Sequence, residues 1–205
     1  IEIFTILIEL VGDKEEEIQK RADKLGIELH EQKIRNLVMH SEKEGDKYWV
    51  MRRESFNLLR QKVKDKMATP FVDDFAVRPE YLSEFLPKMY KLLEDNGIKP
   101  TLAGHVGDGN FHIIPLMDLK DEKERAEIPI VLDAFTKLVK EYNGTMTAEH
   151  NDGMIRTHYL ERQYGPKIVK LFEKVKDVFD KNNIFNPGKK VRGDFEFAMS
   201  HIKRT

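Results

Sequence analysis

The sequence contains no cysteine among its 205 residues. Disulfide bonds and thiolate metal ligands are therefore excluded, so any metal site must use histidine and carboxylate side chains. No apolar stretch approaches the length of about 18 residues that a membrane-spanning helix needs. No secretory signal is recognisable either. These absences favour a cytoplasmic protein, with peripheral membrane association through partners as the alternative.

The sequence also lacks an excess of charge of either sign. It has 35 lysine and arginine residues against 36 aspartate and glutamate residues, for a formal net charge of -1. A nucleic-acid-binding domain usually shows a strong basic excess, so we expect no nucleic-acid partner. Neither of the glycine-rich patterns GxxxxGK[ST] and GxGxxG is present, which argues against a phosphate-binding loop.

A hydrophobic fraction of 40% supports a buried core. Residues 1–10, "IEIFTILIEL", predict a buried strand, and the acidic segment after them predicts a helix capped by Asp13. Later strand-like runs alternate with helical ones and are joined in part by a hairpin, which predicts an α+β fold with an antiparallel sheet. The chain begins at Ile1 inside a strand-like run, so we expect a fragment of a longer protein.

The segment "GHVGDGNFH", from Gly104 to His112, predicts a hairpin that brings two histidines together. An Asp-Gly pair between strand-like runs is a strong hairpin signal. With Asp108 and Gly109 at the two turn positions, His105 would lie directly opposite His112. Opposed residues have Cβ atoms about 4.5–5.5 Å apart, so both imidazoles could bind one cation. The alternative is a hairpin in which the two histidines face each other by coincidence.

A second segment, "TAEHNDG" at 147–153, offers the best third ligand. Glu149 and His150 follow a strand-like approach, "GTMTAEH", and neighbouring strand side chains point in different directions. One of the two could therefore face a metal and the other a substrate. Two histidines and a carboxylate leave coordination positions open, as catalytic metal sites require. The alternative is that this pair is a solvated strand end.

Near the C-terminus, apolar residues recur at helical spacing and predict an amphipathic helix that faces the core. They are Ile168, Leu171, Phe172, Val175, Val178 and Phe179. If another domain normally covers part of this helix, bare apolar surface would favour self-association.

Four segments together resemble the C-terminal half of FAD-linked oxidases of the vanillyl-alcohol oxidase superfamily. They are "YWVMRRESF", "GHVGDGNFH", "AEHNDG" and "LERQYGPKIVKLFEKVKDVFDKNNIFNPGK". They occur in the order found in that family, and the resemblance extends over residues 1–205. It is greatest to the glycolate oxidase flavin subunit, D-lactate dehydrogenase and D-2-hydroxyglutarate dehydrogenase. The implied fold is a ferredoxin-like antiparallel sheet with helices. This domain would cap an N-terminal FAD-binding domain that is absent from this chain.

The resemblance also implies roles for individual residues. A divalent metal, usually zinc, would be bound by His105, His112 and Glu149. His150 would be the catalytic base beside the flavin. Further roles would be substrate binding by Arg52 and Asn110, and contact with the flavin by Asn186 and Lys189. For Arg52, pairing with Glu54 on the surface of a charged helix is the alternative.

The implied reaction oxidises a 2-hydroxy acid of the glycolate or D-lactate type to a 2-oxo acid. FAD would be held mainly by the FAD-binding domain of the same parent chain, and a quinone or an iron–sulfur partner would accept the electrons. We expect the chain to be inactive alone. A self-sufficient divalent-metal hydrolase and a non-catalytic anion-binding module are the competing hypotheses.

Two positions depart from the family pattern. Asn151 replaces the glycine that commonly follows the Glu-His pair, which raises a question about the local backbone. Ile114 occupies a position, two residues after His112, where the hydroxyglutarate enzymes have a polar residue. The second departure argues against hydroxyglutarate as the substrate.

Overall fold

The computed structural model describes residues 5–204. The chain divides into two compact units, Ile1–Lys62 and Val63–Thr205. Two helices form the N-terminal unit: α1, Glu15–Glu31, and α2, Glu42–Lys62. The N-cap of α1 is Lys14 rather than Asp13, and no side chain caps the helix, so that part of the prediction is wrong.

The strand predicted at 1–10 is not found in residues 5–10, which have no regular structure and are mostly exposed; residues 1–4 lie outside the described residues. A strand needs a hydrogen-bonded neighbour, because its backbone groups have no partners within the segment. The described residues of the N-terminal unit contain no other strand that could serve. Apolar composition alone was therefore insufficient for the prediction.

The C-terminal unit contains all four described strands and six α-helices. The strands are β1 (Met67–Ala68), β2 (Phe75–Ala76), β3 (Pro100–His105) and β4 (Asn110–Met117). The helices are α3 (Leu82–Asp95), α4 (Glu122–Glu141), α5 (Gly153–Thr157), α6 (Leu160–Tyr164), α7 (Pro166–Phe179) and α8 (Phe195–Ser200).

Strand β4 is the centre of the sheet. It pairs along most of its length with β3, and its other edge pairs with β2 near one end and β1 near the other. All of these pairings are antiparallel, so the predicted α+β fold with an antiparallel sheet is confirmed. The strand predicted over "GTMTAEH" is reduced to one bridge, between Thr145 and Ala76.

One face of β4 is directed into the hydrophobic core. Alternation along the strand buries Phe111, Ile113 and Met117 against helices α3 and α4. The ring of Phe75 on β2 lies at the centre, with centroids 5.6 Å from Phe111 and 4.9 Å from Phe135. The core thus fixes one face of the sheet, and the even-numbered residues of β4 are left for the opposite face.

Helix α7 forms where it was predicted, but the prediction that it faces the core is wrong. None of its residues is buried. Val178 is 77% exposed and Phe179 is 83% exposed. Apolar residues at helical spacing show that one face of a helix is apolar, but they do not show which surface packs against that face.

Candidate metal and substrate site

The hairpin between β3 and β4 differs in register from the prediction. Its connection is the four-residue segment 106–109, in which a 3-10 turn precedes Gly109 with φ +67°. His105 therefore pairs with Asn110, and His112 pairs with Ala103. The prediction that His105 lies directly opposite His112 is wrong by two residues. A two-residue turn needs a left-handed residue at its first position or at both, and of Asp108 and Gly109 only the second is left-handed.

A shift of two residues leaves the side chains on the same face, because the side-chain period of a strand is two. His105 and His112 are therefore diagonal neighbours on the face away from the core, with ring centroids 5.9 Å apart. Imidazoles are long enough to meet across a diagonal pair. The predicted convergence of the two histidines holds although the predicted register does not.

Glu149 completes the cluster. Its Oε1 atom lies 2.9 Å from His112 Nε2, 3.7 Å from His105 Nε2 and 3.6 Å from His150 Nε2. The His112 side chain is only 12% exposed, whereas those of His105, Glu149 and His150 are about half exposed. The cluster therefore has a shielded inner side, at His112, and an outer side that a small molecule can reach.

The loop that carries Glu149 and His150 is held by a buried aspartate that sequence reasoning missed. Asp74 is fully buried and accepts hydrogen bonds from the backbone N–H groups of Ala148, Glu149 and His150. It also accepts one from the side-chain amide of Asn110. These bonds replace the strand pairing predicted for this segment, since the carboxylate takes the N–H groups that a neighbouring strand would take.

A buried arginine, Arg156, also holds the loop that carries Glu149 and His150. Arg156 donates to the backbone carbonyls of Asp73, Met146 and Asn151. Burial lowers the pKa of Arg156, and the nearby carboxylates of Asp74 and Asp73 oppose that effect. Because three carbonyls from two segments meet one guanidinium, Arg156 ties the β2 region to the loop after Thr145.

The backbone at Asn151 explains one departure from the family pattern. Asn151 has φ +67°, which lies in the left-handed region. Glycine enters that region without cost, and asparagine is among the side-chain-bearing residues that enter it most readily. Asparagine therefore preserves the backbone that glycine would give at this position, and the side chains of Glu149 and His150 keep their directions.

The neighbouring acid, Asp73, was also missed. Its two carboxylate oxygens lie 3.0 Å from His112 Nδ1 and 3.3 Å from His150 Nδ1. The hydrogen bond that His112 donates to Asp73 raises the pKa of His112, against an opposing effect of burial. The sequence signal was an adjacent pair of acids inside the otherwise apolar run "FVDDFAV", because buried acids are rare without a partner.

The donor atoms fit a divalent metal ion. Ligands of a tetrahedral zinc ion with bonds of about 2.0–2.2 Å lie about 3.3–3.6 Å apart. The Nε2 atoms of His150 and His105 lie close to that separation from Glu149 Oε1, at 3.6 and 3.7 Å, and that of His112 is nearer, at 2.9 Å. A lone pair on His112 Nε2 would repel the carboxylate at 2.9 Å unless a proton or a metal ion lay between them. This contact suits a site that holds either a proton or a cation.

Asp74, His112, Glu149 and His150 also have potential ligand atoms that all lie within 4.8 Å of one another. The Asp74 oxygens already accept four donors from the protein, so we assign Asp74 to the support of the loop. Imidazole nitrogen with carboxylate oxygen suits zinc, and iron and manganese also accept such ligands.

Asn110 is next to the cluster, because it pairs with His105 in the hairpin. Asn110 is buried, and its amide nitrogen donates to Asp74 and to the Phe75 carbonyl. Arg52 lies on α2 of the N-terminal unit; among the described residues its guanidinium forms no ion pair, with Glu54 or any other acid. Asn186 is exposed, and so is Lys189.

The C-terminal "NPGK" stretch is tied to the site loop through the residue after it. Lys189 donates to Asn186 Oδ1 over 3.1 Å, so the two predicted flavin contacts bind each other. Lys190, which was not predicted, forms an ion pair with Asp152, a buried residue two positions after His150. None of the helices within residues 5–204 combines the length and the apolar composition of a membrane-spanning segment.

Comparison with known proteins identifies one family. Residues 2–190 match the family model for the C-terminal domain of FAD linked oxidases. The D-2-hydroxyglutarate dehydrogenase of Pseudomonas putida is 30% identical over 187 residues, which cover 89% of this chain and 18% of that protein. The mitochondrial D-lactate dehydrogenase (cytochrome) of Arabidopsis thaliana is 30% identical over 118 residues, covering 58% of this chain and 21% of that protein.

The D-lactate dehydrogenase of Anaerostipes hadrus is 32% identical over 117 residues, 57% of this chain and 25% of that protein. The chain thus spans between about a fifth and a quarter of the length of these relatives. The family model, by contrast, covers nearly all of the chain, including both histidine motifs and the "NPGK" stretch. The chain belongs to the family of FAD-linked oxidase C-terminal domains.

Proposed function

We propose that this chain is the substrate- and metal-binding portion of a flavin-dependent dehydrogenase that oxidises a 2-hydroxy acid to a 2-oxo acid. The observation that carries the proposal is the convergence of three imidazole Nε2 atoms on Glu149 Oε1, within a domain of the FAD-linked oxidase family. Relatives named for activity on D-2-hydroxyglutarate and D-lactate support a 2-hydroxy acid as the substrate class.

In this proposal His105, His112 and Glu149 hold a divalent ion, with zinc as our choice. When bound, such an ion would lower the pKa of a hydroxyl group beside it. His112, the least exposed of the three, would form the inner wall of the site. His105 and Glu149 lie on the outer side, where their exposure leaves room for a substrate hydroxyl.

His150 would accept the hydroxyl proton of the substrate. Its Nδ1 atom is held by Asp73, so its Nε2 atom carries the free lone pair that a base needs. Neutral imidazole is suited to this step, because its ordinary pKa of about 6.5 lies near physiological pH. FAD, when bound, supplies the acceptor for the hydride that leaves the α-carbon.

Arg52 would bind the substrate carboxylate, because a guanidinium can hold a carboxylate through two parallel hydrogen bonds. Asn110 would contribute to the pocket by holding Asp74 and, through it, the loop of Glu149. Asn186 and Lys189 would meet the flavin. These roles rest on the family motifs together with the chemistry of each side chain.

We further propose a small substrate of the glycolate or D-lactate type. Ile114 lies on the same face of β4 as His112, because the two are separated by two positions on one strand. An apolar side chain there gives no partner to a second carboxylate such as that of 2-hydroxyglutarate, whose burial without one would be costly. Replacing Ile114 by a polar residue should therefore broaden the range of acids bound.

Metal analysis of the purified chain tests the metal site. We expect about one divalent ion per chain in the wild type, its loss in the His105→Ala/His112→Ala double variant, and its retention in His150→Ala. His201→Ala, at the end of α8, is the matched control and should retain the ion. Equal metal content in the wild type and the double variant would contradict the site, and loss in His150→Ala would make His150 a ligand instead of the base.

Activity measurements separate the proposal from a metal hydrolase. We expect the 205-residue chain to be colourless and to have no oxidase activity by itself, since FAD would be held mainly by another domain. A flavin absorption spectrum in the purified chain would contradict this division of roles. Hydrolase activity that needs no flavin and is abolished by a chelator would instead favour the hydrolase. Binding of an anion by the same residues, with neither a metal ion nor enzymatic activity, would favour an anion-binding module.

A further inference from the structure

The carboxylate of Asp73 contacts two imidazole rings, one through each of its oxygens. Oδ1 faces His112 Nδ1 at 3.0 Å and Oδ2 faces His150 Nδ1 at 3.3 Å. The two rings are nearly parallel, with centroids 4.8 Å apart and an interplanar angle of 15°. The carboxylate therefore bridges the Nδ1 atoms of two stacked rings.

Charge and hydrogen-bond chemistry fix the proton positions at this bridge. An ionised carboxylate only accepts hydrogen bonds, so Nδ1 must be the donor in both rings. In a neutral imidazole the other nitrogen then carries the lone pair. With a cation beside Glu149, the Nε2 atoms of His112 and His150 can both direct lone pairs toward it; without a cation, a proton must lie between His112 Nε2 and Glu149 Oε1, which are 2.9 Å apart.

We propose that Asp73 is a positioning residue that sets the tautomer and the orientation of His112 and His150 together. This inference rests on the proposed function, because it says how the cluster presents two lone pairs to one cation or proton. It assigns Asp73 no contact with substrate or metal. Partners of this kind commonly determine the ring orientation and the basicity of histidines in metal sites.

The position of Asp73 is itself well fixed. Its side chain is only 16% exposed, and its carbonyl accepts a hydrogen bond from the buried guanidinium of Arg156. The next residue, Asp74, receives the backbone N–H groups of the loop that carries His150. The two adjacent acids therefore have different roles. Asp74 binds the backbone N–H of His150, and Asp73 orients the ring of His150.

Asparagine at position 73 provides a sharp test, because it keeps the size of aspartate and changes only the donors and acceptors. An amide has one acceptor oxygen and one donor nitrogen. Asp73→Asn can therefore accept from only one of the two imidazoles and must donate to the other. The second ring has to switch to the Nε2–H tautomer, which removes its lone pair from the cluster.

The experiment is long-range 1H–15N NMR of the full chain, labelled at histidine, with zinc added and the pH held well above the ordinary imidazole pKa of about 6.5, so that a cation can replace the proton between His112 Nε2 and Glu149 Oε1. Resonances are assigned with His112→Gln and His150→Gln. We expect both rings of the wild type as Nδ1–H tautomers and one of them as Nε2–H in Asp73→Asn. Asp73→Glu keeps two acceptor oxygens and should retain both wild-type tautomers.

Zinc affinity, measured by competition with a chelating dye, gives a second readout. We expect Asp73→Asn to weaken binding about 10–100-fold. Asp177→Asn, which also removes one carboxylate charge but pairs with Arg192 on a different surface segment, should leave affinity unchanged. An Nε2–H tautomer of either ring in the wild type would overturn the inference, and this measurement needs no variant to fold.

The outcomes distinguish this inference from the proposed function. Wild-type chain with both expected tautomers but no zinc binding would contradict the metal site and support the role of Asp73. Wild-type chain that binds zinc, with tautomers unchanged in Asp73→Asn, would support the metal site and overturn the role of Asp73.

Discussion

Replacement of Asp74 should release the loop that carries the candidate base. Three backbone N–H groups, those of Ala148, Glu149 and His150, donate to this fully buried carboxylate. In Asp74→Asn the amide oxygen can take the position of Oδ2 and keep all three bonds. Asparagine also tolerates the backbone at this position, where φ is +63°.

The cost follows from the loss of charge. Hydrogen bonds to an ionised group contribute about 1.5–3 kcal/mol each, and those between neutral groups contribute about 1 kcal/mol. Three bonds that each weaken by about 1 kcal/mol give about 3 kcal/mol in total. The new amide nitrogen can donate to Asn110 Oδ1, a buried atom without a hydrogen-bond partner among the described residues, only if the Asn110 amide turns over and gives up its bond to the Phe75 carbonyl.

Hydrogen exchange measures this loss directly. A loss of about 3 kcal/mol corresponds to about 100-fold faster exchange of the three amides, at a factor of ten for each 1.4 kcal/mol. Mass spectrometry of a peptide spanning 146–152 gives the rate. Asp74→Ala should accelerate the exchange of Glu149 and His150 further, because alanine removes their side-chain acceptor; Ala148 N–H keeps its bond to the backbone carbonyl of residue 74.

The matched control is Asp73→Asn, one residue away. Among the described residues, the Asp73 carboxylate accepts only from imidazole rings, so the three amides should keep their protection. If Asp74→Asn changed their exchange less than fivefold, or if Asp73→Asn accelerated it equally, the account of Asp74 as the anchor of this loop would be refuted.

Three further predictions concern the rest of the C-terminal unit. A Cβ at Gly109 would lie 1.7 Å from the Val77 carbonyl oxygen at φ +67°, so Gly109→Ala should cost about 2–5 kcal/mol of unfolding free energy in urea. The hydrogen bond from Lys176 lowers the pKa of Asp180; ionised Asp180 therefore stabilises the fold above the unfolded-state pKa of about 3.9, and this contribution is lost as the pH falls through the lower folded-state pKa. Phe179→Ser should reduce concentration-dependent light scattering and change stability by less than about 0.5 kcal/mol, because the side chain is 83% exposed.

Each of these has a matched control. Gly107→Ala meets no atom within 4 Å and should be nearly neutral, so equal losses at Gly107 and Gly109 would contradict the steric argument. The urea midpoint of Asp180→Asn should fall below the wild type at neutral pH and approach it in acid; a difference that stays constant with pH would contradict a lowered pKa of Asp180. Phe172→Ser, in a half-buried ring that packs on Tyr164, should destabilise where Phe179→Ser does not.

Much of the candidate site was predictable from the sequence because its information is local. The Asp-Gly pair indicated a chain reversal, and strand alternation then placed His105 and His112 on one face for any even shift in register. Glu149 and His150 were found through the chemistry of adjacent donors. The helical period of α7 likewise predicted a helix at the right residues.

The errors have a common cause, which is that each depended on contacts from distant residues. The hairpin register is set with help from β2, since Val77 N–H donates to the Gly109 carbonyl. Helix α7 has the predicted helical spacing of apolar residues, but none of its residues is buried. The spacing identifies an apolar face without showing which surface packs against it. The predicted strand at 1–10 lacks a neighbouring strand among the described residues of its unit.

The sequence by itself determined which side chains could act: histidines and carboxylates in short motifs, with no cysteine to compete for a metal. Only the tertiary structure decided how they are held, because Asp73 and Asp74 lie more than 70 positions before Glu149 and His150. Hydrogen bonds between such distant residues exist only where the sheet and the buried Arg156 hold the two segments together. No local pattern of residues carries that information.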